Sequence, residues 1–240
     1  MDILIPCLFA ALGAACGALA LLILNRMPAK CFCDYDEVPD ERHVPPRVGK
    51  WQGILCALVL AAVFALIVGR MGVSVTGLSM CLFTVVLAMI ALSDLKFCII
   101  PDELIIAGCV FAVIGAMPCV LTGEGWQQWL SPIFGAAIGG GVILAINLVG
   151  RIVYKKDALG MGDLKLMVIC GIACGTTGTV IAILAGILSA GLFYAVCILL
   201  RKVRSDAYLP LGPFLVIGVA LDLCFEPAAI RIFDWYLSLI

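Results

Sequence analysis

Residues 73–92 read VSVTGLSMCLFTVVLAMIAL, 20 residues without a charge. That is the length an α-helix needs to cross a hydrocarbon core about 30 Å thick. Ser93-Asp94-Leu95-Lys96 follows at once. Runs of the same kind recur along the whole chain, at 3–24, 52–68, 101–121, 132–150, 164–174, 179–200 and 211–225. The run at 164–174 is too short to cross alone; it is expected to begin within 160–163 or to lie broken in the protein interior, where irregular backbone is tolerated. With 64% hydrophobic and 13% charged residues and a mean hydropathy of +1.21, the chain is excluded from ordinary soluble domains. The expected fold is all-α: one polytopic membrane domain over 1–240, with about eight transmembrane helices. The first run starts at Ile3 with no basic residue before it, so it is read as a retained span and not as a signal peptide.

Charge sets the expected orientation. Thirteen of the fifteen cations fall in the loops 25–50, 93–100, 151–165 and 201–210. Arg70 alone lies in the alternate connections, and Arg231 follows the last run. The cation-rich loops are therefore predicted to be cytoplasmic and both termini to face out. Trp126 and Trp129, placed in an outer loop, and Trp51 and Trp235, near span ends, suit interfacial anchors. Membrane lipid is an expected partner and nucleic acid is not; the sequence carries no signal for an oligomeric state.

Most of the thirteen cysteines, such as Cys56, Cys81 and Cys170, lie in apolar runs, where a thiol behaves as a small hydrophobe. Cys31 and Cys33 share a polar loop, but one intervening residue is short of zinc-knuckle spacing and no second pair follows there. No metal, and specifically no zinc, is expected. That loop, 25–50, is read as a short cytoplasmic insertion between the first two spans. Its four prolines and 26 residues cannot build a core of their own. Asp34, Asp36, Glu37, Asp40 and Glu41 make it acidic, and these carboxylates could steer a basic peptide or be a solvated face. Gly135, Gly139, Gly140 and Gly141 in the fifth run suit close helix packing in lipid.

The chemistry gathers at two boundaries. Asp94 closes the third run, and Asp163 ends the string Gly160-Met161-Gly162-Asp163. An acid drawn to mid-membrane costs about 2.5–3.5 kcal/mol, so two at matching depth on different helices form a functional hypothesis. Two carboxylates about 4 Å apart at an effective dielectric of about 20 repel by about 4 kcal/mol. Such a pair is expected to share one proton near neutral pH, so that one member can take a proton from water while the other donates to a carbonyl oxygen. Lys96 and Lys165 stand two residues on, about 200° around a helix, and are expected to face away toward headgroups. Gly160 and Gly162 permit close approach of a substrate strand. Boundary aspartates also simply mark helix starts, and that reading stays open on the residues alone.

At these residues the chain resembles the type IV prepilin leader peptidase family, a branch of the GxGD membrane aspartyl proteases. Ser93-Asp94-Leu95-Lys96 with Ile100-Pro101-Asp102 is similar to its first motif, and Gly160 to Leu166 to its second. Leu209-Pro210-Leu211-Gly212-Pro213-Phe214 is similar to a Pro-x-Gly-Pro-Phe element, and Gly17 through Asn25-Arg26-Met27-Pro28 to the start of the first loop. The resemblance implies Asp94 and Asp163 as catalytic residues, with Gly160, Gly162, Pro101, Asp102, Pro210, Gly212 and Pro213 shaping the site. Asp102 is also read as a cap for the fourth span. It further implies an endopeptidase of the bacterial plasma (inner) membrane. This would cut the basic leader of a prepilin or pseudopilin after a glycine, on the cytoplasmic side, without a cofactor. Many members also methylate the new N-terminus with S-adenosylmethionine. The single Cys31-x-Cys33 departs from their paired Cys-x-x-Cys loop, which leaves that second activity open. The contrasting class is a proton- or ion-coupled transporter, which Asp222, inside the last run, fits better than the boundary acids do.

Overall fold

A computed structural model describes residues 4–33, 45, 48–122, 125–154, 160–201 and 210–237, with side chains through Phe225, Tyr154 aside. Among these residues there are seven α-helices and no strand. They are α1 (Leu4–Arg26), α2 (Lys50–Met71), α3 (Val75–Phe97), α4 (Asp102–Thr122), α5 (Trp126–Tyr154), α6 (Met161–Leu199) and α7 (Gly212–Leu237), with a 3-10 turn at Ala29–Phe32. Six are long and apolar enough to cross a membrane, and Gly212–Phe225 is a shorter apolar helix. Large apolar side chains point outward, among them Leu8, Leu58 and Leu188, each about two-thirds exposed or more (66%, 64% and 70%). In water such faces would be costly; against lipid they are matched. The chain is an all-helical, multi-pass membrane protein.

Local chemistry sets the helix ends. Arg26 ends α1 two residues before Pro28. Gly72, at φ 70°, stops α2 and returns its amide to the Val68 carbonyl at 2.9 Å. Ser74 caps α3 by accepting the Gly77 amide at 3.0 Å. Cys98 closes the same helix at φ 53° and donates its amide to the Asp94 carbonyl at 2.9 Å. α5 starts at Trp126, six residues ahead of the predicted 132, so Trp126 and Trp129 are helical and not in a loop. Pro132 is accommodated inside it: the Gln128 carbonyl that Pro132 cannot satisfy faces the Cys119 thiol at 3.9 Å.

At 39 residues a straight α6 would be about 58 Å long, twice a hydrocarbon core. It is not straight. Gly175 takes φ 67°, a value open to glycine, and divides the helix. A Cβ on Gly139 would collide with the Met167 carbonyl oxygen and lie 3.4 Å from Thr179 Cγ2. Twelve residues of straight helix would separate those two by about 18 Å, so the chain folds back at Gly175. Ser131 of α5 holds the turn, its hydroxyl accepting the Thr176 amide at 3.1 Å. The two halves of α6 coincide with the predicted runs 164–174 and 179–200.

Small residues set the packing. Gly135 and Gly171 press backbone to backbone between α5 and α6, and a Cβ on Gly17 would stand 2.6 Å from Ala57 Cα between α1 and α2. α3 is the central helix: it touches α1, α2, α4 and α7, and twelve of its residues are buried, Ser93 and Asp94 included. The acid predicted at a membrane boundary therefore sits on the best-packed helix of the bundle.

Candidate active site

Asp94 lies in the last turn of α3 and Asp163 in the first turn of α6, with 5% and 7% of their surface exposed. They come from different helices yet stand within electrostatic reach of each other. A main-chain amide holds each one. Gly212 N–H, at the start of α7, donates to Asp94 Oδ2 at 2.9 Å, and the Gly160 amide donates to the Asp163 carboxylate. Burial without such donors would be costly for a carboxylate, and amides at helix starts meet negative charge favourably.

The other residues singled out in the sequence lie at the starts of α4, α6 and α7. Gly162 packs on Ile100, where a Cβ would approach the Ile100 side chain to 3.1 Å. Pro101 is buried and its carbonyl accepts the Leu104 and Ile105 amides that open α4. Pro213 is buried in the first turn of α7. Asp102 begins α4 and forms an ion pair with Lys165 Nζ at 2.6 Å. Lys165 thereby ties α6 to α4 and does not reach only for headgroups. Ser93 donates to the Ile99 carbonyl at 2.8 Å, folding the 93–100 turn under the site.

Gly212 has no room for a side chain. A Cβ there would stand 2.6 Å from Asp94 Oδ2. Only the carboxylate is free to give way, so the fold survives while the acid moves. Gly212→Ala is expected to lower turnover about 100-fold, the usual cost of a 1 Å displacement at a reacting group, with melting temperature near wild type. Turnover within threefold of wild type would show that the Asp94 placement is not needed.

Two groups near the pair were not singled out in the sequence. Cys98, between α3 and α4, is half-buried; burial first, and the Asp94 charge second, push its thiol up from the ordinary range. The thiolate is the reactive form, and a neighbouring anion opposes it. Asp94→Asn is therefore expected to lower the thiol's titration point and speed its alkylation at a fixed, mildly alkaline pH. Mass mapping of the Cys98 peptide would test this, and an unchanged rate would place the Asp94 charge elsewhere. Tyr194, on the second half of α6, is a lone phenol in an apolar run; such a hydroxyl needs an acceptor, and it donates to the Pro210 carbonyl at 2.6 Å.

The Cys31 thiol points to Glu103 Oε1 and the Cys33 thiol to the Ala29 carbonyl, both at 3.3 Å, so the two are turned to different acceptors. Among the described residues no group of three or more His, Cys, Asp or Glu gathers as a metal site. Asp34, Asp36, Glu37, Asp40 and Glu41 lie outside the described residues.

Two carboxylates so little exposed, at the ends of two different helices, give this membrane protein a buried acidic pair. Residues 81–196 of the chain match the model of the Type IV leader peptidase family. It is similar to the "Prepilin leader peptidase/N-methyltransferase" of Aeromonas salmonicida (strain A449), 28% identical over 66% of this chain and 52% of the relative. The Bacillus subtilis (strain 168) protein of that name is 26% identical over 68% of this chain and 62% of its own length. The Escherichia coli (strain K12) one is 32% identical over 38% and 40%. The chain thus spans only about half to three-fifths of the length of the first two relatives. No solved structure matches it.

Proposed function

We propose that the chain is an aspartic endopeptidase of the bacterial plasma membrane that removes the basic leader of type IV prepilins or pseudopilins, cutting after a glycine on the cytoplasmic side. The observation that carries this reading is the meeting of Asp94 and Asp163 at the ends of separate helices, both buried and each held by a main-chain amide. One carboxylate takes a proton from water as it attacks the scissile carbonyl; the other gives a proton to the developing oxyanion and then to the leaving amine. The proton belongs to the pair, so neither role is fixed on one residue. The cation-rich loops put this end of the bundle on the cytoplasmic side.

The groups gathered at the pair are carboxylates and amides, which suit water and a peptide carbonyl. They offer S-adenosylmethionine no cationic or stacking cradle, and no step is routed through it. Ion transport is less favoured: the paired acids cluster at one end of the bundle, and the carboxylate of Asp222 sits beside Arg70 instead of lining an open path.

The test is cleavage of a prepilin leader peptide by the purified full chain in lipid, read by mass spectrometry with and without S-adenosylmethionine. The expected product begins immediately after the glycine and carries an unmodified amine in both cases. Intact peptide throughout overturns the peptidase reading; a methylated amine overturns only the second expectation.

A further inference from the structure

Pro210 and Leu211 form the approach to α7, and their main chain leads into the amide that holds Asp94. The Tyr194 hydroxyl donates to the Pro210 carbonyl at 2.6 Å. Two residues on, Gly212 N–H donates to Asp94 Oδ2 at 2.9 Å. Only Leu211 lies between the two anchored groups, so a single residue, about 3.5 Å of chain, joins them. Leu211 is itself committed, its carbonyl accepting the Phe214 and Leu215 amides at 3.0 and 3.2 Å. Proline at 213 narrows the backbone freedom of Gly212. A shift of the Pro210 carbonyl is therefore passed to the Gly212 amide with little to absorb it.

The ring of Tyr194 is fixed independently of its hydroxyl. It meets Phe214 edge-on at 5.2 Å and Phe193 at 5.4 Å, and Phe193 meets Phe214 at 5.4 Å. These three rings join the second half of α6 to the first turn of α7. Packing thus holds the two helices together, while the single hydrogen bond sets where the 210–212 strand lies between them.

We propose that Tyr194 is a positioning residue for the acidic pair, acting through the Pro210 carbonyl on the Gly212 amide that holds Asp94. The inference rests on the reading of Asp94 and Asp163 as the reacting groups. It adds to that reading a residue from the second half of α6, so the reversal at Gly175 lets one helix supply both Asp163 and the support for its partner.

Tyr194→Phe keeps the ring cluster and removes only the hydroxyl. One hydrogen bond contributes about 0.5–1.5 kcal/mol, so kcat for leader cleavage is expected to fall about three- to tenfold, with KM within error of wild type and the melting temperature lower by no more than about 6 °C. Because both changes disturb the same Gly212–Asp94 contact, one from each side, adding Tyr194→Phe to Gly212→Ala should cost little more than Gly212→Ala alone. Full kcat in Tyr194→Phe, a fully multiplicative double variant, or a raised KM with unchanged kcat would each overturn the proposal. A second measurement needs no substrate: hydrogen exchange across 210–215 should quicken in Tyr194→Phe, and unchanged exchange overturns the proposal whatever the cleavage assay gives. Cleavage by wild type but not by Asp163→Asn, together with full activity in Tyr194→Phe, would remove the positioning role and leave the peptidase reading intact.

Discussion

Asp94→Asn and Asp163→Asn are each expected to lower leader cleavage by about 10²–10⁴, the span that general acid–base groups contribute, while both variants accumulate in the membrane at wild-type level. The asymmetry between function and folding follows from the site. Asparagine is nearly isosteric, and its amide oxygen can still accept from Gly212 N–H or Gly160 N–H, so the contacts that place each side chain survive. What disappears is the ability to carry the shared proton. Folding does not depend on the charge that is lost, because a buried carboxylate opposed by a second one costs stability. The double variant should be no slower than the worse single one, since residues acting as a unit are not additive. The measurement is the ratio of processed to full-length prepilin against the amount of enzyme in isolated membranes. Either single variant working within tenfold of wild type would mean that the two acids are not a catalytic pair.

Much of this site is legible in the sequence because the membrane makes exceptions conspicuous. An aspartate closing twenty uncharged residues, as Asp94 does, needs a reason, and Asp163 stands where a basic loop meets the next apolar run. The helices themselves follow from run length, since backbone groups in lipid have few alternatives to the helix. The connection between runs 164–174 and 179–200 was legible only as a gap. That the chain reverses there depends on Gly175 reaching φ 67° against Ser131, a contact 44 residues away that no local pattern encodes. Lys165 illustrates the same limit: its helical phase predicts that it faces away from Asp163, but not that Asp102 pairs with it. Tyr194 left a weaker trace. A phenol in an apolar run announces that an acceptor exists, and only the fold says that it is the carbonyl of Pro210.

Arg70→Met is expected to destabilise the protein by about 3 kcal/mol, the range for removing one partner from a buried charged network, although Arg70 lies far in sequence from both reactive acids. The cause begins with Pro227, which has no amide hydrogen to give the Leu223 carbonyl four residues earlier. α7 bends there, with Phe225 at φ −129°. Arg70 of α2 fills the gap: one guanidinium nitrogen donates to the Leu223 carbonyl at 2.6 Å and to the Asp222 carbonyl at 3.2 Å. The Asp222 side chain, 2% exposed, feels the same positive charge, and its Oδ1 has no hydrogen-bond partner. Methionine can fill the space but leaves a carbonyl without a donor and a carboxylate without its cation. Arg70→Lys should fall between, because an ammonium lacks the planar fork that serves adjacent carbonyls. Arg70→Met combined with Asp222→Asn should regain part of the loss by removing the uncompensated charge. Thermal unfolding in one detergent would rank the four proteins, and a wild-type midpoint for Arg70→Met would refute the clamp. Such a clamp also accounts for the one cation found among the alternate connections: Arg70 has its own partners in α7, so its place is set by a bent helix and not by the side of the membrane it faces.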